Sequence, residues 1–400
     1  MASNRLPLTF ILATVVIDAM GIGLIFPVMP ELIREVHASD IASAAIWGGI
    51  LTTSFSVMQF LFSPALGSIS DRFGRRSVLL ISLGFLAIDY LIMALASSIW
   101  LLLIARMIGG IASATHATAS AYVADISAPE EKATRFGYIS AAFGFGFILG
   151  PILGGFLGEL GTRAPFFFAA GLSAANMLFG YLVMPETLRR ENRRPVTWRR
   201  SNPLGALASV SALPGLGLLL VVYFVYTVAF AVYPTIWSFF VTARFDWPTG
   251  MIGLSLGAFG LSIVVVQGGL IRIFLKRLGE AKTVTLGLAF SLVGFIVFGF
   301  VESGTLALIL TPITALGAIV TPAIQGILSR KTPDDSQGEL QGVLTSINSL
   351  AMIIAPLMMT QVFWVFTRDG APLFLPGAPF LLSAVFAVLC IVIFQNRSRQ

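Results

Sequence analysis

The chain has 400 residues, of which 56% are apolar and 11% charged, against roughly 25% charged in an ordinary soluble domain. With a mean hydropathy of +0.90, a soluble globular fold is excluded and the sequence reads as a polytopic helical membrane protein. The net charge of +6 invites a nucleic-acid reading, which the placement of the charges removes.

About 20 apolar residues cross the roughly 30 Å hydrocarbon core as a helix. Apolar runs bounded by charges or Pro/Gly clusters predict spans near 7–28, 43–66, 77–97, 99–121, 136–158 and 164–184, then 213–240, 251–271, 283–301, 304–328, 341–366 and 373–394. The first run is long enough to span, contains Asp18 and has no small-residue cleavage site close behind it, so it is expected to stay as the first helix rather than leave as a signal peptide. The single cysteine, Cys390, falls in the last run, so no intramolecular disulfide can form.

These twelve spans distribute the 25 Lys and Arg unevenly. Twenty fall before the first span or after an even-numbered one, four (Arg34, Arg163, Arg244, Arg368) on the opposite side, and Arg106 alone inside a span. This positive-inside bias predicts cytoplasmic termini and explains the basic charge as topology, so no nucleic-acid partner is expected. Residues 186–204, polar, Arg-rich and punctuated by proline, read as a cytoplasmic linker between an N-terminal six-helix bundle at 1–185 and a C-terminal one at 205–400. Sliding the chain on itself by 205 residues places Arg72-Phe73-Gly74 on Arg277-Leu278-Gly279, Gly137 on Gly342 and Pro151 on Pro356. Two parallel six-span halves resemble the major facilitator architecture, in which substrate binds near the midplane between halves.

Ionisable side chains at bilayer depth cost at least about 2.5–3.5 kcal/mol each on insertion scales, so they are functional candidates. Three lie deep, all in the first half: Asp18 midway along span one, Asp89 midway along span three, and Arg106 in span four. Loss of hydration favours the neutral form of a carboxyl group and a nearby guanidinium favours the ionised form. A carboxyl group between these influences can exchange a proton as solvent access changes, although a structural lock with Arg106 is the alternative for either aspartate. No Asp, Glu, Lys or Arg lies inside a C-terminal span. That half offers polar and aromatic groups such as Gln267, Gln325, Asn348, Gln361, Tyr223, Tyr226, Trp237 and Trp364. Proton handling is therefore expected in the first half, with the second contributing to the substrate pocket. Gln59 in span two faces either the cavity or another helix, and His116 in span four reads as a packing residue more than a proton carrier. In span five, Gly146, Gly150 and Gly154 form a flat ridge beside Pro151, which removes a backbone donor.

Several motifs sharpen the resemblance. Gly67-Ser-Ile-Ser-Asp71-Arg72-Phe-Gly74-Arg75-Arg76 resembles the major facilitator signature between helices two and three, and Gly146 to Gly155 resembles the helix-five motif associated with antiporters. Asp18-Ala-Met-Gly21-Ile-Gly23 through Pro30, with Met58-Gln59, Asp89-Tyr90 and Arg106-Met-Ile-Gly-Gly110, is similar to the tetracycline-resistance branch of the twelve-helix drug:proton antiporters. The resemblance implies a monomeric multi-pass exporter of the cell inner membrane that exchanges a lipophilic drug for protons, the coupling ion, without a resident cofactor or protein-bound metal; a divalent metal carried by the substrate itself stays open. It places Asp18, Asp89, Arg106 and Gln59 in the coupling and substrate region. It also implies a cytoplasmic gate in which Asp71 caps the start of helix eleven and Arg75 bridges Asp71 to Asp125. One departure stands out: the branch usually carries an acidic residue in helix nine where this chain has Ser291. Exchange of a tetracycline–metal chelate is thereby in doubt, and another lipophilic, neutral or cationic substrate stays open, as does a proton-coupled importer of a metabolite or lipid-like solute. An enzyme is not expected, since the deep spans hold no His/Asp metal cluster, Ser/His/Asp grouping or nucleotide-binding loop.

Overall fold

The computed structural model describes residues 5–113, 115–188 and 215–397, with Glu191 and Arg193 besides. Among the described residues the regular structure is helical throughout, with no strand, as hydrocarbon requires of segments that must satisfy their own backbone. In chain order the helices are α1 (Arg5–Ile25), α2 (Met29–His37), α3 (Ile41–Phe73), α4 (Arg75–Leu95), α5 (Ile99–Ala112), α6 (Thr115–Ile126), α7 (Lys132–Leu160) and α8 (Ala164–Val183). They continue with α9 (Gly217–Phe230), α10 (Val232–Phe245), α11 (Thr249–Val265), α12 (Ile271–Phe300), α13 (Gly304–Thr314), α14 (Val320–Lys331), α15 (Gln337–Thr367) and α16 (Ala378–Arg397).

Eleven helical segments among the described residues are long and apolar enough to cross a membrane. Ten match the expected spans one to seven and ten to twelve, while the eleventh, Thr249–Phe300, runs 52 residues and takes in both expected spans eight and nine. Its backbone leaves the helical region at Gly279, with φ 74° and ψ 173°, so two helical parts meet there at a kink. Most of the expected linker 186–204 lies outside the described residues.

By its contacts the chain separates into two compact units. Unit one takes Met1–His37, Ser54–Pro203 and Thr249–Gly257, and unit two takes Ala38–Thr53, Leu204–Pro248 and Ala258–Gln400. In unit one the glycine ridge of α7 lies on α1: a Cβ on Gly146, Gly150 or Gly154 would strike the carbonyl oxygens of Val16, Met20 and Leu24 in turn. Backbones can approach this closely only where side chains are missing, and such contact is what holds helices together in lipid. Phe10, Val15, Leu83 and Tyr122 fill the core beside that contact. Unit two packs Tyr223, Tyr226, Leu288, Ile324 and Leu344 into its core.

The irregularities of the two units recur at the offset of the sequence repeat. Gly74 and Gly279 both take positive φ, at 108° and 74°. Ser98 and Ser303 both cap a helix, accepting from the backbone N–H three residues on. The break between α1 and α2 at Phe26–Val28 corresponds to the break between α9 and α10 at Ala231. Ser113, between α5 and α6, corresponds to the 3₁₀ segment Ala315–Ile319 between α13 and α14. Pro64 inside α3 corresponds to the π-turn Val266–Leu270, and Pro151 inside α7 to Pro356 inside α15. These caps, breaks and kinks thus share the 205-residue register of the internal repeat read from the sequence.

Candidate functional site

The buried stripe of α4 runs Leu79, Ser82, Leu83, Leu86, Asp89, Tyr90 and Met93, a helical repeat that carries Asp89 inward with its apolar neighbours. On α5 the buried face is Leu102, Ala105, Arg106, Gly109, Gly110 and Ala112. The faces meet at an ion pair, Arg106 Nη2 donating to Asp89 Oδ2 at 2.6 Å, with Asp89 0% and Arg106 8% exposed. A Cβ on Gly109 would strike the Asp89 carboxylate, so the glycine one turn beyond Arg106 makes room for the acid. The Arg106 guanidinium also lies over the Phe55 ring of α3, 5.2 Å from its centre. Asp89 Oδ1 and Arg106 Nε have no hydrogen-bond partner among the described residues. The pair is therefore under-satisfied, a costly arrangement for a group kept only for structure.

Asp18 lies half-buried on α1 and, among the described residues, enters no ion pair or hydrogen bond. One turn before it, Thr14 accepts from Asn176 Nδ2 of α8 at 3.2 Å, both side chains being buried. Tyr90, beside Asp89 on α4, sets its hydroxyl where a Cβ on Gly21 of α1 would strike it. Gln59 lies half-buried on α3, one turn beyond Phe55. Unit one thus brings Asp89 and Arg106 into contact and leaves Asp18 apart from them, the lock being Asp89's alone. The His116 side chain lies outside the described residues. Thr14 and Asn176 escape a search confined to ionisable groups; a neutral amide midway along span six was the available signal.

The candidates of the second half converge on two tyrosines of α9. Tyr223 Oη accepts from Gln325 Nε2 of α14 at 3.0 Å and from Asn348 Nδ2 of α15 at 2.8 Å. One turn on, Tyr226 donates to the Gly317 carbonyl at 2.6 Å, so Ser291 Oγ of α12, 3.1 Å away, must donate to the Tyr226 oxygen. Gln267 Nε2 donates to the Ala318 carbonyl at 3.2 Å. Four predicted residues thus gather round Tyr223, Tyr226 and the 3₁₀ segment, but Ser291, only 1% exposed, is a packing contact rather than a pocket wall.

At the other end of unit one, Arg75 Nη2 pairs with Asp71 Oδ1 at 2.6 Å and Arg75 Nε with Asp125 Oδ2 at 3.3 Å. Arg72 lies over the Phe73 ring and Arg76 over the Tyr181 ring, while Gly67 faces open space. Glu186 was not singled out from the sequence, yet it organises the turn. Its two carboxylate oxygens accept from the backbone N–H groups of Arg75 and Arg76 at 2.9 and 3.2 Å, capping α4, and it fills the space above Gly74.

Opposed charges buried inside apolar helices of a many-spanning protein mark a candidate functional site. The profile of the Major Facilitator Superfamily matches residues 11–356, and the chain belongs to that family. Tetracycline resistance protein, class C, of Escherichia coli is 41% identical over 363 residues, covering 91% of this chain and 91% of that protein. Tetracycline resistance protein, class G, of Vibrio anguillarum is 38% identical over 383 residues, covering 95% of each. A crystal structure of a bacterial homolog to the human lysosomal transporter Spinster shares the fold, with a TM-score of 0.82 at 15% identity over 100% of this chain and 97% of that one.

Proposed function

We propose that the protein is a proton-coupled antiporter that exports a lipophilic, drug-like compound, tetracycline-type or other, across a bacterial inner membrane by alternating access. The observation that carries this reading is the division of labour between two deep aspartates of unit one. Asp89 is held by Arg106, while Asp18, with no guanidinium against it, is free to take up and release a proton as the path to it opens to either side. The compound competes for the same region, with Gln59 at its edge. The similarity to tetracycline resistance proteins over most of the chain supports export as the direction.

The working architecture is twelve spans in two six-helix halves, 1–185 and 205–400, joined by the basic linker 186–204, with both termini cytoplasmic. Two facts support it: the twenty-to-four charge bias and the 52-residue segment, which is kinked at Gly279 and holds enough residues for two spans of about 20. In this arrangement the Asp71–Arg75–Asp125 chain, which lies within the first half, belongs to the cytoplasmic gate, and the transporter acts as a monomer. The antiporter-type helix is α7, whose residues Gly146, Gly150, Pro151 and Gly154 keep α1, and with it Asp18, close.

The substrate is carried without an obligatory metal ion, since Ser291 stands where a carboxylate is usual and its hydroxyl is engaged by Tyr226. Uptake of radiolabelled tetracycline into inverted, energised vesicles tests the reading. It is expected to be abolished by a protonophore and to survive removal of magnesium by a chelator. Uptake indifferent to the protonophore contradicts antiport, and uptake that collapses on chelation contradicts the metal-free substrate.

A further inference from the structure

Moving the Asp71–Arg75–Asp125 chain of unit one by the 205 residues of the repeat lands on Lys276, Glu280 and Arg330 of unit two, with every charge reversed. The second chain is closed at one end only. Glu280 pairs with Arg330 and lies where a Cβ on Gly326 would meet its carboxylate, which fixes the backbone just after Gly279 to the last turns of α14. Lys276 stays exposed and, like Arg272, Arg277, Lys282 and Lys331, enters no ion pair, side-chain hydrogen bond or ring contact among the described residues. Asp334 and Asp335, the acids that follow Lys331, pair with none of these cations. In unit one the loop arginines are held: Arg75 by Asp71 and Asp125, Arg135 by Glu131, Arg76 by the Tyr181 carbonyl and ring, and Arg72 over Phe73.

The two helical turns before Gly279 divide their side chains. Ile271, Phe274 and Leu275 belong to the core with Val266 and Ile319, while Arg272, Lys276 and Arg277 stand exposed with Ile273, 48% accessible, among them. Unpaired cations are costly in hydrocarbon and an exposed isoleucine gains nothing in water. Such a mixed face suits the level where acyl chains meet headgroups, its apolar carbons turned to the chains and its charged ends to the phosphates. Topology requires cations on one side of the membrane but does not require them to be unpaired, as the arginines of unit one demonstrate.

We propose that this face of unit two, Arg272, Lys276 and Arg277 with Lys282 and Lys331, binds the headgroup phosphate of a phospholipid that carries net negative charge. A zwitterionic headgroup brings its own ammonium towards the same cations and is disfavoured, whereas a net anionic one is not. Glu280, neutralised by Arg330, does not repel the phosphate. The site takes from the twelve-span arrangement only that the turn at Gly279 lies at a bilayer surface, and binding is measured without transport.

The test is native mass spectrometry of the full-length protein in detergent, incubated with equimolar phosphatidylglycerol and phosphatidylcholine of identical acyl chains. The wild type is expected to retain phosphatidylglycerol at least about tenfold more than phosphatidylcholine, at on the order of fivefold per contacting cation. In the triple variant Lys276→Gln, Arg277→Gln, Lys331→Gln the gap shrinks to within about twofold with phosphatidylcholine retention unchanged, while Lys276→Arg, Arg277→Lys, Lys331→Arg keeps it. Lys276→Gln alone, expected to lower the gap about fivefold, serves where the triple variant fails to fold. Lys132→Gln, which removes a loop cation of unit one, leaves the gap intact. An undiminished gap in the glutamine variants, equal loss of both lipids, or no preference in the wild type overturns the proposal. So does displacement of the lipid by a hundredfold excess of glycerol phosphate, which would mark a site for free anions. Failure of a membrane-impermeant thiol reagent to label Leu278→Cys from either side of sealed vesicles counts against the twelve-span arrangement, not against the lipid preference.

Discussion

At the residue scale the molecule turns on an acid with no exposed surface, Asp89, balanced by one guanidinium. Removing one partner of a buried pair leaves an uncompensated charge, at a cost of about 3–5 kcal/mol, whereas removing both can be nearly neutral. Arg106→Leu is therefore expected to lower the thermal unfolding temperature in detergent sharply, and Asp89→Asn combined with Arg106→Leu to recover most of the loss. Equal instability of single and double variants would show that Arg106 works through packing on Phe55 instead. Gly109→Ala, which pushes a methyl group against the carboxylate, is expected to destabilise by about 1–3 kcal/mol, read in the same melt. The deep charged residues were legible in the sequence because an ionisable group in an apolar run has no cheap explanation. Thr14 and Asn176 were not, since neutral polar groups are common in membrane helices and only the fold shows which of them meet.

The helices were legible at the element scale, because length and hydrophobicity are properties of the chain alone, and the glycine ridge of α7 does meet a helix, α1. The interruptions were harder to read. A π-turn at Val266–Leu270 or a 3₁₀ turn at Ala315–Ile319 changes which carbonyl an N–H selects without altering the apolar pattern. Glu186 was hidden for a related reason: a loop glutamate is ordinarily solvated, and only the positive φ of Gly74 brings the start of α4 under it. Loss of this cap in Glu186→Ala is expected to cost about 1–2 kcal/mol, with Glu186→Gln retaining part of it. The difference is measurable by thermal unfolding, and indistinguishable melts for Glu186→Ala and the wild type contradict the capping role.

For the whole molecule, the irregularities share the register of the sequence repeat while the units specialise. Unit one keeps the deep charges; unit two has the hydrogen-bonding tyrosines and amides, and Ser291 is sealed against Tyr226. The energetics of exchange suffice for export: one charge moving through 100 mV supplies about 2.3 kcal/mol, enough for roughly a 50-fold gradient per proton. Two carriers of similar backbone and different polarity also explain why a second-half pocket could be drawn up from composition, while the focus on Tyr223 and Tyr226 emerged only from the packing of α9 with α12, α14 and α15. The most direct measurement of the central claim is proton release from inverted vesicles energised to an acid interior, followed with a quenched pH dye as tetracycline and then lipophilic cations are added. Substrate-triggered proton efflux in the wild type, lost in Asp18→Asn with the protein still inserted and folded, is the predicted result. Efflux that persists undiminished in Asp18→Asn, or no efflux with any compound together with solute accumulation in right-side-out cells, would contradict the account.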